Sequence, residues 1–427
     1  MPRSSSINDP HHPAAGPAAQ DARDSLGESG PASLGRRCFA LSLGGAVGGA
    51  ACGSAIAAAV LGLPGLALAQ GVPGVQPGEI LLGQSASFSG SFAGQAASYR
   101  DGALACFAAV NAAGGVYARR IRLLSLDDAY DAKRATENTR RLIQDDQVFA
   151  LFNPMWTNTV KAALALSTPA GVPMLGPYTG YEALYAEQRA PVFTTRASFL
   201  DELAHIVRHL RTLGATRIGL LHYDSASGRE LRADTERLMQ PAGLKTAAIG
   251  TMQANTADPA AATEALAAVD LQALIVGVSG SDAVAFLRGF RRAKPSTRCY
   301  ARSLIGITQL VNELGPLAEG VSVSQTAPNP HRQRTMVAAE YRRLLAVFNA
   351  ALKPDHIGLE GLISARVMVE ALRRCGPQPT RAGLVAALEG LREFDVGGYL
   401  LRYGPGQHHG SRFVDITLVG PKGRVLD

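Results

Sequence analysis

Hydroxyls, amides and aromatic rings recur at the ends of short apolar runs in this chain of 427 residues. Ser89 and Gln95 follow the run 80–82, Trp156 and Thr157 follow 147–152, and Tyr178 and Thr179 follow 172–175. Further on, Asp224 and Ser227 follow 217–223, and Ser279 and Ser281 follow 273–278. Such groups hold a small polar molecule, because hydroxyls both donate and accept and a helix start favours negative charge. Other chemistries have weaker footing. Asp201, His205 and His209 share one face of a helical stretch at i, i+4, i+8, a spacing that could suit a metal, but an exposed polar helix face is the preferred reading. Gly277-Val278-Ser279-Gly280-Ser281 misses the final glycine of the G-x-S-x-G nucleophile elbow, and no acid or base partner can be named. Neither a P-loop nor a G-x-G-x-x-G opens any helix, so no cofactor and no metal are expected.

The elements that must position these groups begin with the stretch 79–128. Ile80-Leu81-Leu82 reads as a buried strand, and a loop of Gly, Ser and Ala follows it. Ala103, Phe107, Val110 and Asn111 lie at helical spacing, and Gly114-Gly115 stops that helix. A second strand, 121–126, ends in Asp127-Asp128. This is a βαβ unit whose polar loop sits at the carboxyl end of a strand, the edge where open α/β sheets bind ligands. The pattern repeats. Asp131 caps a helix to Ile143, 147–152 is a strand, 160–167 a helix, and 172–175 a strand. After Phe193-Thr194-Thr195, which reads as a crossing, it restarts: helix 198–213, strand 217–223, helix 229–239, strand 246–249, helix 259–268, strand 273–278 and a helix through Arg291. A second crossing, 321–330, leads to amphipathic helices 335–349 and 361–374, a helix 380–388 and a β-rich tail. The fold class is therefore α/β, with two doubly wound, Rossmann-like lobes. The first comprises 78–194 with 328–390, the second 195–327 with 391–427. Arg196, beside the first crossing, either meets a ligand carboxylate or braces the hinge, and bracing is the preferred reading.

Residues 1–34 are rich in Pro, Ser, Ala and Gly without apolar periodicity, the composition of a disordered segment. Arg36-Arg37 then precedes an apolar run that closes on Ala67-Leu68-Ala69, so 1–69 reads as a secretory leader cut after Ala69. Arg-Arg-Cys-Phe resembles a twin-arginine signal. The alternative is an uncleaved membrane anchor, since the run is long enough to span a bilayer. Cys38 and Cys52 belong to the leader. Cys106, Cys299 and Cys375 are widely spaced, form no C-x-x-C pair and read as structural thiols. The net charge of +7 is dispersed. Pairs such as Arg140-Arg141, Arg291-Arg292 and Arg373-Arg374 sit on polar helix faces, which argues against nucleic acid as a partner.

At this point a family comes into view. FSGSFAG, then NAAGG, LDDAYDAKRA and PMLGPYTGYEAL, then RASFLDE, LGATRIGLLHYDSASG, ALIVGVSGSDAVAFLRGFR, LEGLISARVMVEALRR and FDVGG occur in order. This series resembles the type I periplasmic solute-binding proteins of ABC importers, in the leucine/isoleucine/valine-binding branch, over the chain from Glu79 onward. The resemblance implies two α/β lobes joined by three crossovers, closing on an amino-acid-like solute without reacting with it. It also implies a periplasmic location, an inner-membrane ABC permease as partner and a monomer. The family's loops for the ligand's carboxylate and ammonium match Met155-Trp156-Thr157 and Pro177-Tyr178-Thr179. Its closing residues from the second lobe match 224–227 and 279–281. Three departures bear on the solute. Ser227 and Ser279-Gly280 stand where branched-chain binders place tyrosines, Gln95 replaces a tyrosine, and Trp156 occupies a place that is small or hydroxylic elsewhere. With part of the aromatic grip on an aliphatic side chain missing, a more polar or aromatic solute is expected as readily as leucine or valine. The rival reading is a ligand-sensing module of the same fold without transport.

Overall fold

The computed structural model describes residues 71–185, 191–254, 256, 258–332 and 334–426. The expected leader, its cleavage point after Ala69, and Cys38 and Cys52 lie outside these residues. The chain opens with β1 (Val75–Gln76), β2 (Glu79–Ala86), α1 (Ala93–Ala112) and β3 (Arg120–Asp127). It continues with α2 (Ala132–Gln144), β4 (Ala150–Phe152), α3 (Thr157–Ser167), β5 (Met174–Leu175) and β6 (Val192–Phe193). These strands form one sheet in the order β3-β2-β4-β5-β6, parallel throughout, with β1 antiparallel on β2. All of β2 beyond Glu79 is buried, as a strand covered on both faces must be. The helix starts obey capping chemistry: Asp131 accepts from Arg134 N at 2.7 Å, as expected from sequence.

The second sheet takes β7 (Arg217–Tyr223), β8 (Lys245–Met252), β9 (Ala273–Val276), β10 (Arg298–Ala301) and β11 (Val321–Gln325). Its parallel order, β8-β7-β9-β10-β11, repeats that of the first sheet, and β14 (Asp415–Val419) and β15 (Val425–Leu426) extend it antiparallel. Around it lie α4 (Phe199–Thr212), α5 (Ala226–Met239), α6 (Ala260–Ala267), α7 (Gly280–Ala293) and α8 (Ile307–Leu314). Each sheet is clothed on both faces. In the first, Leu142, Val160 and Ala163 cover one face, and α1 with α9 (Met336–Phe348), α10 (His356–Cys375) and α11 (Arg381–Glu389) covers the other. In the second, α4 and α5 supply Leu203, Ile206 and Leu231 to one face, and α6, α7 and α8 supply Leu266, Phe286 and Leu310 to the other.

Two glycines set the closest approach in the first lobe. A Cβ on Gly361 would stand 2.0 Å from Tyr99 O, and one on Gly102 1.8 Å from Gly358 O. Only glycine lets α1 and α10 meet backbone to backbone. Among the described residues, no helix is long and apolar enough to cross a membrane.

The structure corrects the sequence reading in two places. Phe193 belongs to the edge strand β6, so the crossing is shorter and starts at Thr194. The tail was expected to rejoin the second lobe from residue 391. Instead Leu391, Val396, Tyr399, Leu401 and Tyr403 sit in the buried cluster beneath α9, α10 and α11. Val337 N donates to Gly397 O at 2.9 Å, which ties this return to α9. Within it, β12 (Phe394–Asp395) pairs with β13 (Leu400–Leu401), and the second sheet is reached only at β14.

Candidate functional site

Each sheet reverses direction between its first and third strands, β2/β4 and β7/β9, and loops at such a switch point leave a crevice at the carboxyl ends. The crevices of the two sheets face a shared cavity of about 530 Å³, a size suited to a small solute. Trp156, Thr157 and Asn158 line it from the first lobe, and Ser227, Ser279 and Arg302 from the second.

The wall at α3 is built for negative charge. Trp156 is its N-cap, has φ 71 and offers no side-chain cap among the described residues, so the first turn opens onto the cavity. A positive φ on a bulky residue costs about 1–3 kcal/mol, and such strain persists where surrounding contacts enforce it. Here those contacts are aromatic. The Trp156 ring lies 4.4 Å from Phe92, 5.7 Å from Tyr178 and 6.1 Å from Tyr130, centroid to centroid. Thr157 Oγ1 and Thr179 Oγ1 are 2.7 Å apart, and Thr179 Oγ1 also accepts from Tyr181 N at 3.2 Å. That pairing orients the Thr157 hydroxyl at the cavity edge.

On the opposite wall, Arg302 Nη2 donates to Gly277 O at 3.0 Å, and its guanidinium lies 4.3 Å above the Phe199 ring. Its buried Nε has no hydrogen-bond partner among the described residues. Tyr223 Oη donates to Asp282 Oδ2 at 3.0 Å and accepts from Ser279 N at 3.1 Å, fixing the loop after β9. Burial raises the Tyr223 hydroxyl above its usual range, so it stays protonated.

Of the residues expected at the site, Trp156, Thr157, Ser227 and Ser279 line this cavity. Tyr178 and Thr179 stand behind them, fully buried, the Tyr178 ring stacked under the Arg196 guanidinium at 4.5 Å. Ser89 is turned aside, its hydroxyl donating to Asp127 Oδ2 at 2.7 Å on an exposed surface. Asp224 faces Arg229 and Gln253 on the rim, and Ser281 lies along α7 outside the lining. Gln95 lines a different cavity. Arg302, Tyr130, Phe199 and Tyr223 went unnoticed in the sequence. Tyr130 could have been found, since it lies in the loop after β3 at the same sheet edge. Arg302 could not, because the short strand before it left no clear pattern. On the helix face that carries Asp201, His205 and His209, Asp201 closes a capping box with Ser198, and the His209 ring packs against Tyr300. Among the described residues no cluster of metal-binding side chains is present.

The hinge lies beneath the cavity. Arg196, 1% exposed, reaches Glu360 of α10 through Nε at 3.4 Å, and Glu202 of α4 and the Ser303 hydroxyl through Nη2. Glu202 in turn accepts from Ser303 N at 2.8 Å. One cation therefore ties the first lobe to the second, which is the bracing role the sequence suggested. Tyr399 Oη donates to Thr195 O at 2.8 Å and Thr326 O at 2.9 Å, joining two crossings, and Tyr403 Oη donates to Thr194 O at 2.8 Å.

The profile of the periplasmic binding protein family matches residues 79–423. A substrate-binding periplasmic protein from Ralstonia solanacearum is 30% identical, covers 82% of this chain and 99% of its own, and superposes with a TM-score of 0.77. A possible leucine/isoleucine/valine-binding protein from Rhodopirellula baltica is 26% identical over 84% of this chain and 98% of its own, also at 0.77. An extracellular ligand-binding receptor from Verminephrobacter eiseniae is 28% identical over 82% and 100%, with the same TM-score. Two like-wound lobes around one cavity and a match along nearly all of the described chain agree: the protein belongs to the type I periplasmic binding proteins, in the leucine/isoleucine/valine-binding-protein-like family of ABC transport systems, which work outside the cytoplasm.

Proposed function

We propose that the protein captures a small carboxylate-bearing solute, amino-acid-like or aromatic, between its lobes and passes it unchanged to an ABC permease in the inner membrane. The observation that carries this reading is the open first turn of α3, with the Thr157 hydroxyl beside it, facing Arg302 across the cavity. A carboxylate accepts from helix-start amides and a hydroxyl at a site that already favours its charge. Arg302 offers a second set of donors to an acceptor at the far end of the solute. Trp156, Tyr130, Phe199 and Tyr223 supply flat walls, which suit a planar side chain better than a branched aliphatic one. The lobes close as a hinge about the crossings, with no chemical step. The leader ending at Ala67-Leu68-Ala69 serves export, and sequencing the amino terminus of the secreted protein, expected at Gln70, checks it.

A thermal-shift screen of amino acids, their amides and aromatic carboxylates tests the reading. Carboxylates raise the melting midpoint, and the shift is lost in Thr157→Val. Full affinity in both Thr157→Val and Arg302→Met would place the solute elsewhere. Recovery of a chemically altered solute would end the reading of a pure binder.

A further inference from the structure

Arg302 meets the cavity from a short turn, Ser303–Ile305, that follows β10. An arginine side chain gives up much rotamer freedom when its guanidinium is held in one place, so a fixed head needs a fixed base. The head is held by Gly277 O and the Phe199 ring. The base is held by Glu202, in the first turn of α4 and fully buried.

Both oxygens of that carboxylate grip the residue next to Arg302. Glu202 Oε2 accepts from Ser303 N at 2.8 Å, and Oε1 accepts from Ser303 Oγ at 2.9 Å. Ser324 Oγ of β11 also donates to Oε2. The contact with Arg196 is longer, 3.3 Å from Nη2 to Oε1, against about 2.7–2.9 Å for a strong charge-assisted bond. Arg196 has a second acid in Glu360, whereas Ser303 N has Glu202. Glu202 therefore spends its shortest bonds on the turn that carries Arg302 and its longest on the hinge cation. Its charge acts in the same direction: burial lowers the Arg302 guanidinium below its ordinary value, and Glu202 is the largest influence holding it up.

The start of α4 also carries Phe199, and this ring is fastened to the first lobe. Phe199 N donates to Gly180 O at 2.8 Å, and a Cβ on Gly180 would stand 2.5 Å from Cδ1 of the ring. Leu200 N donates to Glu182 Oε1 at 2.7 Å. One helix start thus supplies the ring under the guanidinium and the carboxylate under the backbone that follows it. We propose that Glu202 is a positioning residue for solute recognition: through Ser303 it fixes the turn that aims Arg302 over Phe199 at the cavity, and so sets the preference for solutes with a second acceptor. The preference rests on the proposed capture of a carboxylate solute at α3, whereas the aiming is testable without any solute.

Phenylglyoxal modification of each arginine, followed by peptide mass spectrometry on the full protein, measures the aiming. Glutamine at 202 keeps the shape but offers one acceptor oxygen instead of two and no charge, so Glu202→Gln speeds modification of Arg302 by about tenfold. Glu360→Gln, which removes the other acid at Arg196 and leaves Ser303 untouched, does not change the Arg302 rate. Ser303→Ala removes one bond to the turn and keeps both acids of Arg196; it raises the rate in the same direction, which keeps the test open if Glu202→Gln fails to fold. Isothermal titration with terephthalate and benzoate measures the preference. The ratio of their affinities falls about tenfold in Glu202→Gln and in Arg302→Met, and the double variant falls no further, because both substitutions remove one interaction. An unchanged Arg302 rate in both Glu202→Gln and Ser303→Ala, an equal rise in Glu360→Gln, or additive losses in the double variant would overturn the proposal. Faster modification in a protein that binds neither carboxylate would uphold the aiming and refute the solute class instead.

Discussion

Replacing Glu360 by Gln tests how the hinge carries its buried charge. The Glu360 carboxylate is 5% exposed, lies 3.4 Å from Arg196 Nε, and is raised from 4.5 to about 7 by burial, with Arg196 pulling the other way. An unfolded chain releases this proton near 4.5, the folded chain near 7. Between those values the folded state binds a proton that the unfolded state lacks, so stability falls as pH rises. The group's contribution is complete below about pH 4.5 and is lost as pH passes through about 7. At about 1.4 kcal/mol per pH unit, the loss over this interval is roughly 3 kcal/mol. Glutamine has the same shape and cannot ionise, so it removes the loss. Urea unfolding of both proteins is the assay. Relative to wild type, Glu360→Gln gains roughly 2–3 kcal/mol between about pH 5 and pH 8. A difference that stays flat with pH would refute the reasoning, because Glu360 would then ionise alike in both states.

Thr157→Val removes one hydroxyl donor to a charged group, an effect of about 1.5–3 kcal/mol, and so weakens carboxylate binding about ten- to hundredfold in isothermal titration. Trp156 is the only tryptophan in the chain and lines the first cavity, so saturating solute changes the protein's intrinsic emission; an unchanged spectrum with a tight binder would place that binder elsewhere. Gly361→Ala forces a methyl group against Tyr99 O and parts α1 from α10, lowering stability by about 1–3 kcal/mol in chemical unfolding. Arg302→Met weakens solutes that carry a second acceptor at the far end more than those that carry none, measured as a ratio of dissociation constants.

How far the sequence could be read depends on how strongly each segment announces itself. Long, buried parallel strands such as β2 and β7 leave unbroken apolar runs bounded by glycine or hydroxyl-rich loops, and the two-lobe winding follows from them. Asp131 and Ser198 mark helix starts through capping chemistry, which is local and therefore legible. The strand β10 is only Arg298–Ala301, a charge and a cysteine leading two other residues, and α8 is an eight-residue helix following it. The strand leaves no periodic signature, and the helical spacing of Ile307, Leu310 and Leu314 in α8 spans barely two turns, so Arg302 at the end of the one and the cavity beside Gln95 against the other were not read from the sequence. The tail misled for a different reason. Its alternation of apolar residues and turns is real, but which lobe Leu391 and Tyr399 cover depends on α9 and α11, contacts made across sequence distance that no local pattern encodes. Ser89 shows the same limit within the site. Its position at a strand end is right, yet Asp127 of the neighbouring strand claims the hydroxyl, and register between β2 and β3 decides that pairing. Strand-end position thus locates the edge where a solute binds, whereas the contacts between strands and lobes determine which side chains at that edge remain free to hold it.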